Sequence, residues 1–264
     1  MEILELHPKV FVYRNYIKNA RELVQRLEDK ATWDTWWVFG KIAQNVGPSY
    51  SWDSFPSQEE WEAHLEQIKE ELNSELLDEI VEVKRTFYEV TSDYLSKHSI
   101  DFDTWVMHAP SFNVYIPNEE EQPGDTTMGF HTDYQSEKEE ARGDKFKLTC
   151  TMYLNGDYEG GELAFVITDS PADPSTYNLI KYKPQEGDIV VFPSTPPFYH
   201  GVTKLLSGNR YMVRTFWLEH FPGTPEWLAG QAANGEEAWS EMEKSREKEF
   251  LHSMDRIRDE ELNL

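Results

Sequence analysis

The chain predicts an α+β domain that is mainly β, a sandwich or jelly roll of short strands with helices before it and a helical tail after it. Three observations carry this. Apolar residues recur at helical spacing from Trp61 to Leu95. From Trp105 to Glu219 short β-rich runs alternate with Gly, Pro and Asp. Beyond Phe221-Pro222-Gly223 the sequence becomes helical in pattern and highly charged.

Val10-Phe11-Val12-Tyr13 is apolar and β-rich, and predicts a strand. Asn19 followed by Glu22 marks a helix start, with the helix running to about Asp29. Residues 31–56 hold Trp33, Trp36, Trp37 and Trp52 among Gly, Ser and Pro without sustained periodicity, and read as an irregular packed segment rather than an aromatic substrate surface. Ser57-Gln58-Glu59-Glu60 is a capping box, and Trp61, Leu65, Ile68 and Leu72 continue it as an amphipathic helix. The stripe resumes at Leu76, Leu77, Ile80, Val83, Phe87, Val90, Tyr94 and Leu95, a second helix ending near Lys97; both apolar faces are expected to pack on a sheet. Strands are expected over 105–108, 111–116, 128–132, 146–154, 162–167, 177–182, 188–192, 199–205 and 210–219. In the tail, Trp239, Met242, Phe250, Met254 and Ile257 keep a loose helical stripe, expected to pack back on the domain. The organisation is therefore 1–104 as strand and supporting helices, 105–220 as the β core and 221–264 as a helical extension, all in one integrated domain.

At 264 residues the chain can bury a full core without staples. A single cysteine excludes an intrachain disulfide framework, and Met1-Glu2-Ile3-Leu4-Glu5 lacks the basic region and apolar run of a signal, so a reducing, cytoplasmic setting is expected. No stretch approaches a membrane span. With 25 basic and 49 acidic residues the net charge is −24, which repels a phosphate backbone and argues against nucleic acid as a partner. Nine Trp, thirteen Tyr and fourteen Phe supply the packing area that a disordered acidic chain lacks.

The chemistry concentrates in Gly129-Phe130-His131-Thr132-Asp133. On an extended segment His131 and Asp133 point the same way, so one strand end offers an imidazole and a carboxylate to one point. His200, in Pro196-Pro197-Phe198-Tyr199-His200-Gly201, is the candidate third donor. Two histidines and a carboxylate leave three positions of an octahedral iron open. Arg210 follows, a permanent charge whose fork suits a carboxylate. Taken alone, His-x-Asp recurs by chance, and the surrounding sequence adds the weight.

That sequence reads His131-Thr132-Asp133, then Tyr153-Leu154-Asn155, Gly160-Gly161-Glu162-Leu163, Gly187-Asp188-Ile189-Val190-Val191-Phe192-Pro193, His200 and Gly208-Asn209-Arg210. In kind and order these motifs resemble the prolyl-4-hydroxylase-like branch of the 2-oxoglutarate and Fe(II)-dependent dioxygenases, over roughly Ser111 to Glu219. The resemblance implies a double-stranded β-helix core, a cupin-like jelly roll. It implies that His131, Asp133 and His200 are iron ligands and that Arg210 pairs with the distal carboxylate of 2-oxoglutarate. By the same likeness Tyr115 and Tyr153 touch the cosubstrate through their hydroxyls, and Leu163 is an apolar wall of its pocket. Between Tyr115 and His131 the chain is longer than the family's usual spacing. Cys150 reads as an inert buried thiol.

The implied activity is hydroxylation of a prolyl, amino-acid-like or peptide substrate, coupling oxidative decarboxylation of 2-oxoglutarate to succinate and CO2 with C–H hydroxylation. Fe(II), 2-oxoglutarate and O2 are the implied cofactors, with ascorbate as reductant in vitro. Desaturation, epoxidation or cyclisation of a small metabolite is the alternative from the same chemistry, and a non-catalytic jelly-roll binding module the alternative from another class. Glu119, Glu120, Glu121 and Asp125 before the metal pair, and Glu137, Glu139 and Glu140 after it, predict a neutral or cationic small-molecule or peptide substrate. The sequence leaves the oligomeric state open.

Overall fold

The computed structural model describes residues 2–36, 40–43, 77–99, 105–107, 110–117, 126–133, 144–170 and 173–220. The helix expected from Ser57, the tail beyond 221 and both acidic loops, 118–125 and 136–143, lie outside the described residues.

The strands in chain order are β1 (Glu2–His7), β2 (Val10–Arg14), β3 (Trp33–Trp36), β4 (Gly40–Ala43), β5 (Trp105–Met107), β6 (Ser111–Tyr115), β7 (Thr126–His131), β8 (Asp144–Tyr153), β9 (Glu159–Gly160), β10 (Leu163–Ile167), β11 (Asn178–Tyr182), β12 (Ile189–Pro193), β13 (Phe198–Thr203), β14 (Leu205–Ser207) and β15 (Arg210–His220). The helices are α1 (Ala20–Lys30) and α2 (Leu77–Lys97). A large sheet runs β1-β2-β12-β8-β15-β6-β4-β3, with β5 also paired to β15, and a small sheet runs β11-β10-β13-β7. Every pairing is antiparallel. From β6 onward the chain passes between the sheets: β6, β8, β12 and β15 in the large one, β7, β10, β11 and β13 in the small one. This is a jelly roll.

Period-two alternation splits the large sheet's side chains into two sets. One set, including Phe11, Tyr13, Leu148, Cys150, Met152 and Val213, joins Leu23 and Leu27 of α1 and Val83, Phe87, Val90 and Tyr94 of α2 in one buried cluster. The α2 residues recur every three or four positions, one face of a helix, and that face covers the sheet. Two polar pins hold it there: the Tyr13 hydroxyl donates to Asp93 at 2.8 Å, and the Tyr94 hydroxyl donates to the Lys9 carbonyl at 3.0 Å. The other set, with Tyr115, Tyr153, Val190, Phe192 and Met212, turns toward the small sheet's Leu163, Phe165, Phe198 and Val202. The site lies between the two sheets.

Two local expectations are corrected. Residues 33–43 are not wholly irregular: β3 and β4 form a hairpin on the large sheet beside β6. A Cβ on Gly40 would stand 2.3 Å from the Val114 carbonyl oxygen, so this approach to β6 requires glycine. Four-residue strands show no readable period, and the neighbouring edge creates them. The helix start expected at Asn19 holds: Asn19 is the N-cap of α1, without a side-chain capping bond. The expected strand 199–205 ends at Thr203, and β14 leaves to pair with β9, where the Leu205 N–H donates to Thr127 Oγ1 at 2.7 Å.

Candidate active site

β7 ends at His131, and two residues on lies Asp133, buried. β13 pairs with β7 so that His200 stands opposite His131, and the rings meet at 4.5 Å between centroids. Gly201 permits this pairing, because a Cβ there would sit 2.7 Å from the Met128 carbonyl oxygen. The Asp133 carboxylate bridges the pair: Oδ2 is 3.2 Å from His200 Nε2 and Oδ1 is 3.7 Å from His131 Nε2. One donor atom from each of the three residues lies within 4.8 Å of the others.

His131 Nδ1 is 2.9 Å from the Gly129 carbonyl, which can only accept, so that nitrogen carries a proton and Nε2 is the atom left facing the cluster. Burial alone would raise the Asp133 pKa, but His200, His131 and Arg214 hold it well below the usual carboxylate range, and it is ionised at neutral pH. Burial lowers the His131 pKa while Asp133 and the Gly129 carbonyl raise it, and the net displacement is upward. Thr149 supports the carboxylate, donating to Asp133 Oδ2 at 2.6 Å with Ser194 Oγ 2.8 Å away from its own hydroxyl. A hydrogen bond of this kind would fix the orientation of a carboxylate that held a metal.

Arg210 opens β15 on the inward set and is 1% exposed. Its Cζ lies 4.9 Å from the Tyr153 ring centroid, 5.0 Å from Tyr115 and 6.0 Å from Tyr158. Burial pushes all three phenols up, so they surround the guanidinium as neutral groups. Among the described residues no carboxylate pairs with Arg210: its Nε has no hydrogen-bond partner, Nη1 lies 3.6 Å from the Met212 sulfur, and its other polar neighbours are the Tyr158 and Tyr115 hydroxyls. A guanidinium stays charged, and an isolated buried charge is costly, so an anion would suit this pocket.

The structure brings His131, Asp133 and His200 together and gathers Tyr115 and Tyr153 at Arg210, with Leu163 buried in the same inter-sheet cluster. Tyr115 sits in register with Arg210 across β6 and β15, and its hydroxyl donates to the Met128 sulfur at 3.3 Å. The sequence reading missed Thr149, Ser194 and Tyr158. Thr149 shares the parity of Tyr153 on β8 and could have been found by counting back in twos. Arg214, also inward, lies 3.9 Å from Asp133 Oδ1 and stacks on Phe216. Cys150 is fully buried with its thiol pushed up to about 12 by desolvation, which makes it inert.

Residues 111–219 match the 2OG-Fe(II) oxygenase superfamily. No curated protein matches the chain. Among solved structures, the epimerase SnoN from nogalamycin biosynthesis, in complex with Fe3+, alpha ketoglutarate and nogalamycin RO, is similar at a TM-score of 0.51, with 12% identity over 82% of this chain and 83% of that one. That likeness is one of fold. The viral collagen prolyl hydroxylase from Paramecium Bursaria Chlorella virus-1 aligns at a TM-score of 0.43, with 14% identity over 81% and 97% of the two chains. A 2OG-Fe(II) oxygenase family oxidoreductase from Burkholderia pseudomallei aligns at 0.30, with 15% identity over 44% of this chain and 45% of that one, so the present chain spans under half of its length. The matched stretch, residues 111–219, is the one that carries the His131, Asp133, His200 and Arg210 cluster, so this part of the chain is similar to the 2OG-Fe(II) oxygenase superfamily, a family that uses Fe(II) and 2-oxoglutarate.

Proposed function

We propose that the protein hydroxylates an amino-acid-like, prolyl or peptide substrate, with His131, Asp133 and His200 holding Fe(II) and Arg210 holding 2-oxoglutarate. The observation that carries the reading is the buried Arg210, without a carboxylate among the described residues, on the same inter-sheet face as a three-donor cluster. A cosubstrate with a carboxylate at each end answers both needs.

When bound, the iron would activate O2 as the oxidant, with 2-oxoglutarate supplying two electrons as it is decarboxylated to succinate and CO2 and the substrate C–H bond supplying the other two. The chain's own residues place and protect. His131 and His200 offer ring nitrogens and Asp133 an ionised oxygen, while Thr149 keeps that oxygen turned inward. The Arg210 fork anchors the far carboxylate, with the Tyr115 and Tyr153 hydroxyls beside it and Leu163 keeping water from the wall. The acidic stretches flanking the metal pair in sequence support a neutral or cationic substrate, and the single buried thiol supports a reducing, cytoplasmic setting.

Succinate release from 2-oxoglutarate with Fe(II) and ascorbate, across panels of prolyl peptides, free amino acids and small metabolites, tests this reading. Product gaining one oxygen establishes hydroxylation, and loss of two hydrogens establishes desaturation instead. Failure to bind ferrous ion at all would restore the binding-module reading.

A further inference from the structure

Tyr158 is the third ring around Arg210, and it faces a second cation. The Lys183 ammonium stands 3.3 Å from its ring centroid, while the Arg210 Cζ stands 6.0 Å from that centroid. Lys183 also donates to the Tyr158 and Gly160 carbonyls, each at 2.8 Å, so it grips the backbone on both sides of the ring it covers. Gly161 and Gly208, both at positive φ, close around Tyr158: a Cβ on Gly161 would meet its ring at 3.2 Å, and one on Gly208 its Cα at 3.1 Å. The ring is 5% exposed and belongs to the same buried cluster as Tyr115 and Tyr153. Two cations thus share one caged aromatic ring, and the inner one has no carboxylate partner among the described residues.

We propose that Tyr158 and Lys183 complete the anion site at Arg210: Tyr158 is a positioning residue that aims the guanidinium, and Lys183 adds a second positive charge to the field felt by a bound dicarboxylate. This rests on the reading of Arg210 as the 2-oxoglutarate anchor. The two cations are no more than about 9 Å apart across the ring, close enough for each to feel the other's charge. Consistent with that, the Lys183 pKa is lowered to about 8, first by desolvation and then by Arg210, against Glu162 and Glu159, which raise it. An anion arriving at Arg210 offsets the repulsion and raises the Lys183 pKa again. At about 10 Å the rise is a few tenths to about one pH unit. Binding therefore takes up a fraction of a proton just above pH 8 and none well below it, where Lys183 is already charged. The affinity for 2-oxoglutarate falls as pH climbs through the same window.

The test is calorimetric titration of 2-oxoglutarate into the Fe(II)-loaded full chain under nitrogen, from pH 7 to 9, in buffers of different ionisation enthalpy. Wild-type protein is expected to show proton uptake peaking between pH 8 and 9, and Lys183→Gln to abolish it. Tyr158→Phe keeps the ring and is expected to bind within about 3-fold of wild type, whereas Tyr158→Leu is expected to weaken binding roughly 10-fold, the scale of a desolvated cation–π contact. Unchanged uptake in Lys183→Gln overturns the proposal, and where Tyr158→Leu does not fold that result alone decides. Arg210→Met serves as the control. If it binds like wild type, the underlying anchor reading has failed. If it alone loses affinity while the Tyr158 and Lys183 variants do not, the present inference has failed and the anchor stands.

Discussion

Replacing Arg210 by Met separates a binding role from a structural one, because the two predict opposite outcomes in the protein free of ligand. The guanidinium is 1% exposed and, among the described residues, meets only three neutral phenols and a thioether. Removing such a charge relieves a desolvation cost, and exchanging buried ions for apolar residues is often neutral or stabilising by about 1–4 kcal/mol. Against this stand the lost ring contacts, about 0.5–2 kcal/mol each. The two nearly cancel, so the melting temperature of the free protein is expected to stay within about 5 °C of wild type, at roughly 2–4 °C per kcal/mol for a chain of this size. Binding behaves differently. Loss of charge-assisted hydrogen bonds worth about 1.5–3 kcal/mol raises the 2-oxoglutarate Kd roughly 10- to 150-fold. At a ligand concentration of about 100 Kd the wild type gains about 2.7 kcal/mol, and a variant binding 100-fold more weakly gains only about 0.4 kcal/mol. Differential scanning fluorimetry with and without 2-oxoglutarate reads both quantities in one experiment. A variant that melts far earlier when free, yet keeps its ligand-induced shift, would falsify the anchor role and make Arg210 a structural residue.

His131→Ala and His200→Ala are both expected to abolish ferrous binding in an iron titration; His200→Ala also costs about 2 kcal/mol of stability, because its ring packs on Phe192 at 4.7 Å while His131 is more exposed. Undiminished iron affinity in both variants refutes the ligand set. Thr149→Val removes the 2.6 Å hydrogen bond to Asp133 and is expected to weaken iron roughly 10- to 100-fold without touching a donor atom; wild-type iron affinity would show that β7 alone aims the carboxylate. Cys150, fully buried with a thiol pushed up to about 12, is expected to resist alkylation at pH 8 in the native protein and to react once the chain is unfolded. Rapid native labelling would show that the cover of α2 opens.

The sequence by itself determined what depends on near neighbours. His131 and Asp133 share a face because strand side chains alternate, and β2, β6, β8, β12 and β15 carry enough β-rich residues to declare themselves. The α2 stripe was legible for the same reason, its apolar residues recurring at the helical period. Arg210 was identifiable as a fork for a carboxylate from its motif, yet nothing in that motif shows it to be buried without one. That fact belongs to tertiary structure, as do the partners that neighbour it. Thr149 reaches Asp133 across 16 residues and Ser194 reaches Thr149 across 45, distances over which no periodicity operates. Tyr158 lies in a loop, where the chain has no repeat to betray its direction, and only the docking of β11 and β15 on either side sets Lys183 and Arg210 against its ring. β1, β3 and β4 are strands because paired edges satisfy their backbone groups, a gain that exists only once the sheet is assembled.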